Sequence, residues 1–335
     1  MAGAPSGGAE TFFTRLALAL ARRGADQLLL LRLDPLRETK LAAAGARVET
    51  APFGGRLDLR TGRIFRAAIE RYQPDIVLTW MNRATSFCPR GRFVHVGTPR
   101  GYYDPKYYRA CDHLVVTTED LGRFYRAAGF AAERVSVIPN FAPDEHAPPV
   151  ARASLATADD ATVLLALGRL HANKGFDTLL NALPLLPERH VLWLAGSGPL
   201  EGELRALADR LGVAGRVRFL GWREDVPALF AAADIFVCSS RHEPFGNIVI
   251  EAWLQRRPVV AIASEGPSAL IEDRRSGLLA PPEDAASLAA TIARVAADPA
   301  LAASLVAAGR AAYERSYTEE SVVGAYVDLF NRLLR

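Results

Sequence analysis

The stretch Ile235-Phe236-Val237-Cys238-Ser239-Ser240-Arg241-His242-Glu243-Pro244-Phe245-Gly246-Asn247-Ile248-Val249-Ile250-Glu251-Ala252 decides the fold. Its first four residues are apolar without alternation, as in a strand buried on both faces. A polar loop broken by Pro244 and Gly246 follows, and apolar spacing from Asn247 onward starts a helix. Strand, loop and helix in that order form half of a βαβ unit, with the loop at the C-terminal edge of a parallel sheet.

The same alternation extends in both directions. Strands are expected at 162–167, 190–195, 217–220, 235–238 and 259–262, with helices near 177–186, 200–211, 226–232 and 247–255. The first half repeats the pattern with strands at 27–33, 47–50, 75–79, 93–96, 113–117 and 135–138. The fold class is α/β with parallel sheets. A chain of 335 residues exceeds the roughly 250–300 that one core supports. The proline-rich, aperiodic segment 141–149 reads as a linker between two domains. The expected division is 1–145, 146–315 and a final helix over 316–335, on which Val322, Tyr326, Leu329 and Leu333 form one apolar stripe.

Composition bounds the function. Half of the residues are apolar and 23% are charged, which suits a packed globular chain and not a disordered one. A net charge of +3 is too small to indicate a nucleic-acid partner. The three cysteines are scattered and odd in number, so neither a disulfide framework nor a metal site is read from them, and a reducing cytoplasm is expected. No apolar run nears the ~20 residues needed to span a bilayer, and the N-terminus does not read as a signal peptide. Any membrane contact is therefore expected to be peripheral, at the inner face.

Candidate binding groups collect at strand ends. In the loop quoted above, free N–H groups at the start of a helix suit an anion, and Glu243 and Glu251 are placed to accept hydrogen bonds from sugar hydroxyls. As an isolated pair they are better read as solvated acids, and it is their place beside a Gly-Asn helix start at the edge of the sheet that favours binding. Gly168-Arg169-Leu170-His171-Ala172-Asn173-Lys174-Gly175 ends another strand. An Arg fork with a Lys point charge suits a diphosphate, against the plainer reading of two solvated cations.

Weaker signals are Gly196-Ser197-Gly198-Pro199, where glycines would allow a ligand close to the backbone, and Gly221-Trp222-Arg223, whose flat side chains suit a nucleobase. Gly7-Gly8-Ala9-Glu10 opening a helix is a modest phosphate-loop signal. His95 ends an apolar strand and is retained for its expected place at the crevice, although an isolated histidine there is more often structural. From Arg100 to Arg109, tyrosines interleave with cations in a way that suits sugars, phosphates or lipid headgroups as well as a solvated rim.

With these motifs in view, the chain resembles the family 4 retaining glycosyltransferases along nearly its whole length. The most specific feature is the Glu-x7-Glu signature from Glu243 to Glu251, joined by Gly168-Arg169…Lys174-Gly175, Gly196-Ser197-Gly198-Pro199, Gly221-Trp222-Arg223-Glu224-Asp225-Val226 and Ile138-Pro139-Asn140. The resemblance implies the GT-B fold, two facing Rossmann-like domains with a C-terminal helix crossing back to the first. It implies that Arg169 and Lys174 neutralise the donor diphosphate, and that backbone around Phe245, Gly246, Asn247 and Ile248 holds the donor sugar and phosphates. It further implies that Glu243 binds the transferred sugar, Glu251 the ribose, and Trp222 and Arg223 the base. Gly168, Gly196, Ser197 and Gly198 would border the donor, Gly8 would approach its phosphate, and His95 would contact the sugar.

No cofactor or metal is implied beyond the nucleotide diphosphate sugar donor. Retention of configuration is implied, with a glycan or lipid-linked acceptor of the bacterial lipopolysaccharide type. One departure concerns the N-terminus. Only Met1 to Ala4 precede Pro5, fewer residues than the strand that usually delivers the glycine loop, so the first strand is expected to be missing or truncated and the true start to lie upstream. The competing readings are a nucleotide-sugar epimerase or sugar phosphorylase on the same architecture, and a catalytically impaired nucleotide-sugar-binding protein.

Overall fold

The computed structural model describes residues 1–3, 7–55 and 58–335. It divides into two compact units, Met1–Pro143 with Glu319–Arg335, and Asp144–Thr318. The chain leaves the first unit after Pro143, two residues ahead of the boundary expected from the proline-rich segment. Phe141 and Ala142 are no linker. Both are buried, and Phe141 packs edge-on against Phe12 at 5.3 Å in the core of the first unit.

In the first unit α1 (Gly8–Arg22), β1 (Leu28–Leu31), α2 (Pro35–Ala43), β2 (Arg47–Thr50), α3 (Leu59–Tyr72) and β3 (Ile76–Trp80) are followed by α4 (Met81–Phe87), β4 (Val94–Thr98), β5 (His113–Val116), α5 (Glu119–Ala127) and β6 (Val135–Val137). Helix starts follow from capping side chains: Asp34, Asp58 and Thr118 each accept an N–H from the first turn of α2, α3 and α5.

All strand pairs here are parallel, but they form two sheets, β1-β2 and β3-β4-β5-β6. Met1 lies along β1. Its amine donates to the Leu30 carbonyl at 2.7 Å, and Arg32 N–H donates to the Met1 carbonyl at 2.9 Å.

The tyrosine-rich segment after β4 is less of a surface than its composition suggests. Tyr108 is fully buried, with its ring edge-on to that of Tyr125 at 5.6 Å. Lys106 and Tyr107 face outward.

In the second unit β7 (Thr162–Leu167), α6 (Phe176–Ala182), β8 (His190–Ala195), α7 (Glu201–Arg210), β9 (Val217–Gly221), α8 (Val226–Ala232), β10 (Ile235–Cys238) and α9 (Asn247–Leu254) lead into β11 (Val259–Ile262), α10 (Glu265–Leu270), β12 (Leu278–Ala280), α11 (Ala285–Ala297) and α12 (Pro299–Ser316). The final helix, α13 (Glu319–Leu333), belongs to the first unit, where Val322, Val323, Tyr326 and Leu329 are buried in the core around α1 and β1.

Apart from Thr162 and His190 at their starts, β7, β8, β10 and β11 are apolar and almost wholly buried, as strands covered on both faces must be. Trp193 on β8 is fully buried with its indole N–H on Thr157 Oγ1 at 2.9 Å, so its polar atom is satisfied. α12 lies against α9 at Gly309, where a Cβ would overlap the Trp253 ring. Among the described residues no single helix is long and apolar enough to cross a membrane.

Candidate active site

The second unit's sheet runs β12-β11-β10-β7-β8-β9. From β7 the chain moves outward through β8 and β9, then returns to the opposite side of β7 as β10. Loops leaving β7 and β10 thus part toward opposite faces, and ligands of open parallel sheets bind at such a switch point. Lys174 ends the loop after β7, and Glu243 lies in the loop after β10. Lys174 Nζ is 2.5 Å from Glu243 Oε2, with side chains 25% and 15% exposed.

Burial opposes the Lys174 charge, but the adjoining Glu243 carboxylate and Cys238 outweigh it and hold the ammonium above its usual range. Gly168 makes room for this side chain. With φ at 151°, a Cβ there would press on the Lys174 stem. Arg169 is exposed and makes no ion pair among the described residues.

Backbone contacts hold the two loops together. Gly175 has φ 59°, and a Cβ on it would overlap the Ser239 carbonyl oxygen. Ser239 Oγ donates to Lys174 O at 2.8 Å, and Arg241 N–H donates to Asn173 O at 2.9 Å. The Arg241 guanidinium forks onto Asp177 at 2.7 and 2.6 Å and reaches Thr178 Oγ1 at 3.0 Å. On the far side, Gly266 N–H donates to Glu243 O at 2.6 Å. Glu265 accepts from Glu243 N–H at 3.3 Å and lies 2.8 Å from His242 Nδ1.

Neither the Arg241 fork nor the Glu265 support was foreseen in the sequence. Their partners are 64 and 22 residues away, and no local pattern marks them.

Gly196 and Gly198 make room for neighbouring backbone. A Cβ on Gly196 would overlap Gly168 O, and one on Gly198 would overlap Leu170 O. Leu170 N–H donates to Ser197 O at 3.0 Å, Leu200 N–H to Leu170 O at 3.1 Å and Gly196 N–H to Gly221 O at 2.7 Å. These glycines let the ends of β7, β8 and β9 lace into one surface.

Gly246, with φ 100°, precedes α9 without a side chain to cap it, and the helix brings its partial positive charge to the end of the loop that carries Glu243. Asn247 and Ile248 are half-buried in its first turn, and Glu251 follows Asn247 by one turn on the same face. Phe245 is buried edge-on to Tyr317 at 6.3 Å, so it anchors the loop and leaves only its backbone for a ligand. Beyond β9, Trp222 is 65% exposed, while Arg223 is forked onto Asp225 at 2.7 and 2.6 Å. That loop stands two strand spacings, about 10 Å, from β7.

His95 and Gly8 belong to the first unit. His95 does not end its strand, because β4 continues through Gly97 to Thr98; a Cβ on Gly97 would overlap Cys111 Sγ, which explains a glycine inside a strand. The His95 side chain is buried, with Nε2 2.9 Å from Thr79 Oγ1 and 3.7 Å from Cys111 Sγ. Burial pushes its pKa below the usual histidine range. His95 is thus buried and hydrogen-bonded within the first unit. Gly8 opens α1, but the Glu10 carboxylate folds over that first turn so closely that a Cβ on Gly3 or Gly7 would overlap it.

Just past the C-terminal end of β4 lies Arg100, the first cation of the tyrosine-rich stretch. It is buried with φ 66°, and its guanidinium lies 4.6 and 4.5 Å from the Phe12 and Trp80 ring centres and bonds Asn140. Among the described residues no three His, Cys, Asp or Glu side chains gather as a metal site.

Two family models match this chain, Glycosyltransferase Family 4 over residues 6–146 and Glycosyl transferases group 1 over residues 161–298. The lipopolysaccharide core biosynthesis glycosyltransferases LpsD and LpsE of Rhizobium meliloti are 36% and 35% identical to it. The LpsD alignment covers 97% of this chain and 95% of the relative, and the LpsE alignment 96% and 95%. Among solved structures, Anabaena HepE in complex with UDP and glucose is 24% identical with a TM-score of 0.84, covering 97% of this chain and 96% of that one. The fold is GT-B, and the chain belongs to the family 4 glycosyltransferases.

Proposed function

We propose that this glycosyltransferase moves a sugar from a nucleotide diphosphate donor to a lipopolysaccharide-core or other lipid-linked glycan, with retention of anomeric configuration and without a metal ion. The observation that carries this reading is the Lys174–Glu243 pair at the crossing between β7 and β10, in the loop that leads into α9. Lys174 and Arg169 would meet the charge of the departing diphosphate together with the α9 N–H groups, the role a metal plays elsewhere. Glu243 would accept from sugar hydroxyls, Glu251 from the ribose, and Trp222 would offer a face to the base.

In the transfer step the acceptor oxygen bonds to the anomeric carbon as the carbon–phosphate oxygen bond breaks on the same face. The acceptor proton passes to the departing phosphate oxygen. The LpsD and LpsE relatives support the acceptor class, and HepE holding UDP and glucose supports the donor class. The acceptor is expected at the cytoplasmic face of the inner membrane, met by peripheral contact only.

The test is to incubate the protein with UDP-, GDP- and ADP-sugars and truncated lipopolysaccharide in the presence of EDTA, and to read the anomeric coupling of the product by NMR. An inverted product, an absolute requirement for added metal, or conversion of the sugar while still on the nucleotide would overturn the reading.

A further inference from the structure

Both backbone polar atoms of Glu243 are held by two successive residues of another loop. After β11 the chain turns at Ser264 into α10, where Gly266 N–H donates to Glu243 O at 2.6 Å and Glu265 Oε2 accepts from Glu243 N–H at 3.3 Å. The approach is close, since a Cβ on Gly266 would overlap the carbonyl oxygens of Glu243 and Phe245. The other Glu265 oxygen, Oε1, lies 2.8 Å from His242 Nδ1. One carboxylate thus spans the ring of His242 and the backbone of the residue that follows it.

The other charges of the crossing are engaged elsewhere. Lys174 is on Glu243, while Arg241 is on Asp177 and Glu283. Burial raises the Glu265 pKa, but bonds from its own N–H, from His242 and from Glu243 N–H outweigh it and hold the carboxyl below its usual range. The His242 and Glu265 side chains are 46% and 36% exposed, so their pairing adds little to stability. Its effect is geometric. With N–H and carbonyl both tied, the direction of the Glu243 Cα–Cβ bond is set, and Lys174 fixes the far end of the side chain.

We propose that Glu265 is a positioning residue for sugar recognition, which aims the Glu243 carboxylate by holding Glu243 N–H and is itself steadied by the His242 ring. This rests on the reading that Glu243 meets the transferred sugar. An ionised carboxylate suits the task because it accepts from both donors whatever the charge on the imidazole. An amide does not. Glu265→Gln leaves one oxygen for Glu243 N–H and turns an NH2 group toward His242, where only a neutral imidazole with a bare Nδ1 can accept it. A protonated His242 sets N–H against NH2, and one of the two bonds is lost.

The test measures kcat/KM with whichever of the UDP-, GDP- and ADP-sugars supports transfer, from about pH 8 to about pH 5.5, a range in which imidazoles take a second proton. Glu265→Ala should lower kcat/KM about tenfold or more throughout, while the Kd of the matching nucleoside diphosphate, which has no sugar for Glu243 to meet, changes less than about threefold. Glu265→Gln should recover most of that loss near about pH 8 and fall about tenfold below the parent near about pH 5.5. Adding His242→Ala should level the ratio of the Gln variant to the parent across the range. Parental activity in Glu265→Ala, equal losses of diphosphate and nucleotide-sugar affinity, or a level ratio with His242 in place would overturn the proposal. A parent chain that transfers no sugar overturns the proposed function instead, and positioning is then read without substrate. Protection of the Glu243 amide against exchange should fall about tenfold in Glu265→Ala at every pH, and in Glu265→Gln only at the acid end. Unchanged protection in both would overturn the proposal.

Discussion

Lys174 and Glu243, 69 residues apart in the chain, meet at 2.5 Å where the sheet of the second unit reverses its order. Each belongs to a different strand-end loop, so the pair exists only when both loops are in place. Replacing Lys174 with Ala removes the cation and leaves a mostly buried carboxylate without its partner. We expect kcat/KM for transfer to fall 100-fold or more, corresponding to about 3 kcal/mol of lost transition-state stabilisation, with a native circular dichroism spectrum. Full activity in this variant would remove Lys174 from the mechanism.

Trp222 gives the opposite kind of test. Its side chain is 65% exposed, so Trp222→Ala should change stability by less than about 0.5 kcal/mol. If the indole carries the donor base, the variant loses a stacking face worth about 1–3 kcal/mol, and the donor KM rises roughly tenfold or more with little change in kcat. Titration with the nucleotide diphosphate alone, followed by calorimetry, reads the same loss without needing the acceptor.

The glycines at the strand ends should separate from glycines elsewhere. Gly196→Ala puts a Cβ onto Gly168 O at φ 142° and should cost at least about 2 kcal/mol by urea unfolding. Gly324→Ala, within α13 and with nothing within 4 Å of the new atom, should stabilise the chain by about 0.5–1 kcal/mol.

Acid should destabilise the protein through histidines buried in neutral form. Burial lowers the pKa of His95 and His190, and burial with Arg332 and Arg134 nearby lowers that of His113 to about 4, from 6.5. The unfolded chain then binds more protons than the folded one below about pH 6.5, so stability falls as the pH drops through that value and, for His113, continues to fall until about pH 4. Between pH 7 and 4.5 the His113→Asn variant should lose less stability than the parent, by on the order of 2 kcal/mol.

His95 adds a distinction in activity. His95→Ala removes the bond to Thr79 and should cost about 1–3 kcal/mol of stability. Its kcat, measured on the folded fraction, should remain within about threefold of the parent. A loss of more than about 100-fold in kcat without loss of stability would instead place it in contact with the reacting sugar.

Much of the second unit was legible because buried parallel strands are written as unbroken apolar runs. The bounds of β7, β8, β10 and β11 coincide with the expected segments for that reason. β12 was missed, since three residues after Gly277 carry too little pattern. β4 was cut short because Gly97 reads as a stop, whereas its missing Cβ makes room for Cys111. At the site, residue types and loop positions were readable, but partnerships were not. Nothing local ties Arg241 to Asp177 or Glu265 to Glu243, and the backbone that Gly196 and Gly198 make room for lies in another loop.

The lacing of the β7 and β10 loops, through Gly175 against Ser239 and Arg241 on Asp177, has a consequence for redesign. A mutation in either loop is transmitted to the other, so the two cannot be tuned separately and the crossing will tolerate little sequence drift. The loop after β9 sits apart at the sheet's edge with an exposed indole. Libraries meant to change donor preference should therefore spend their diversity around Trp222 and Glu224 and leave residues 168–175 and 239–246 fixed.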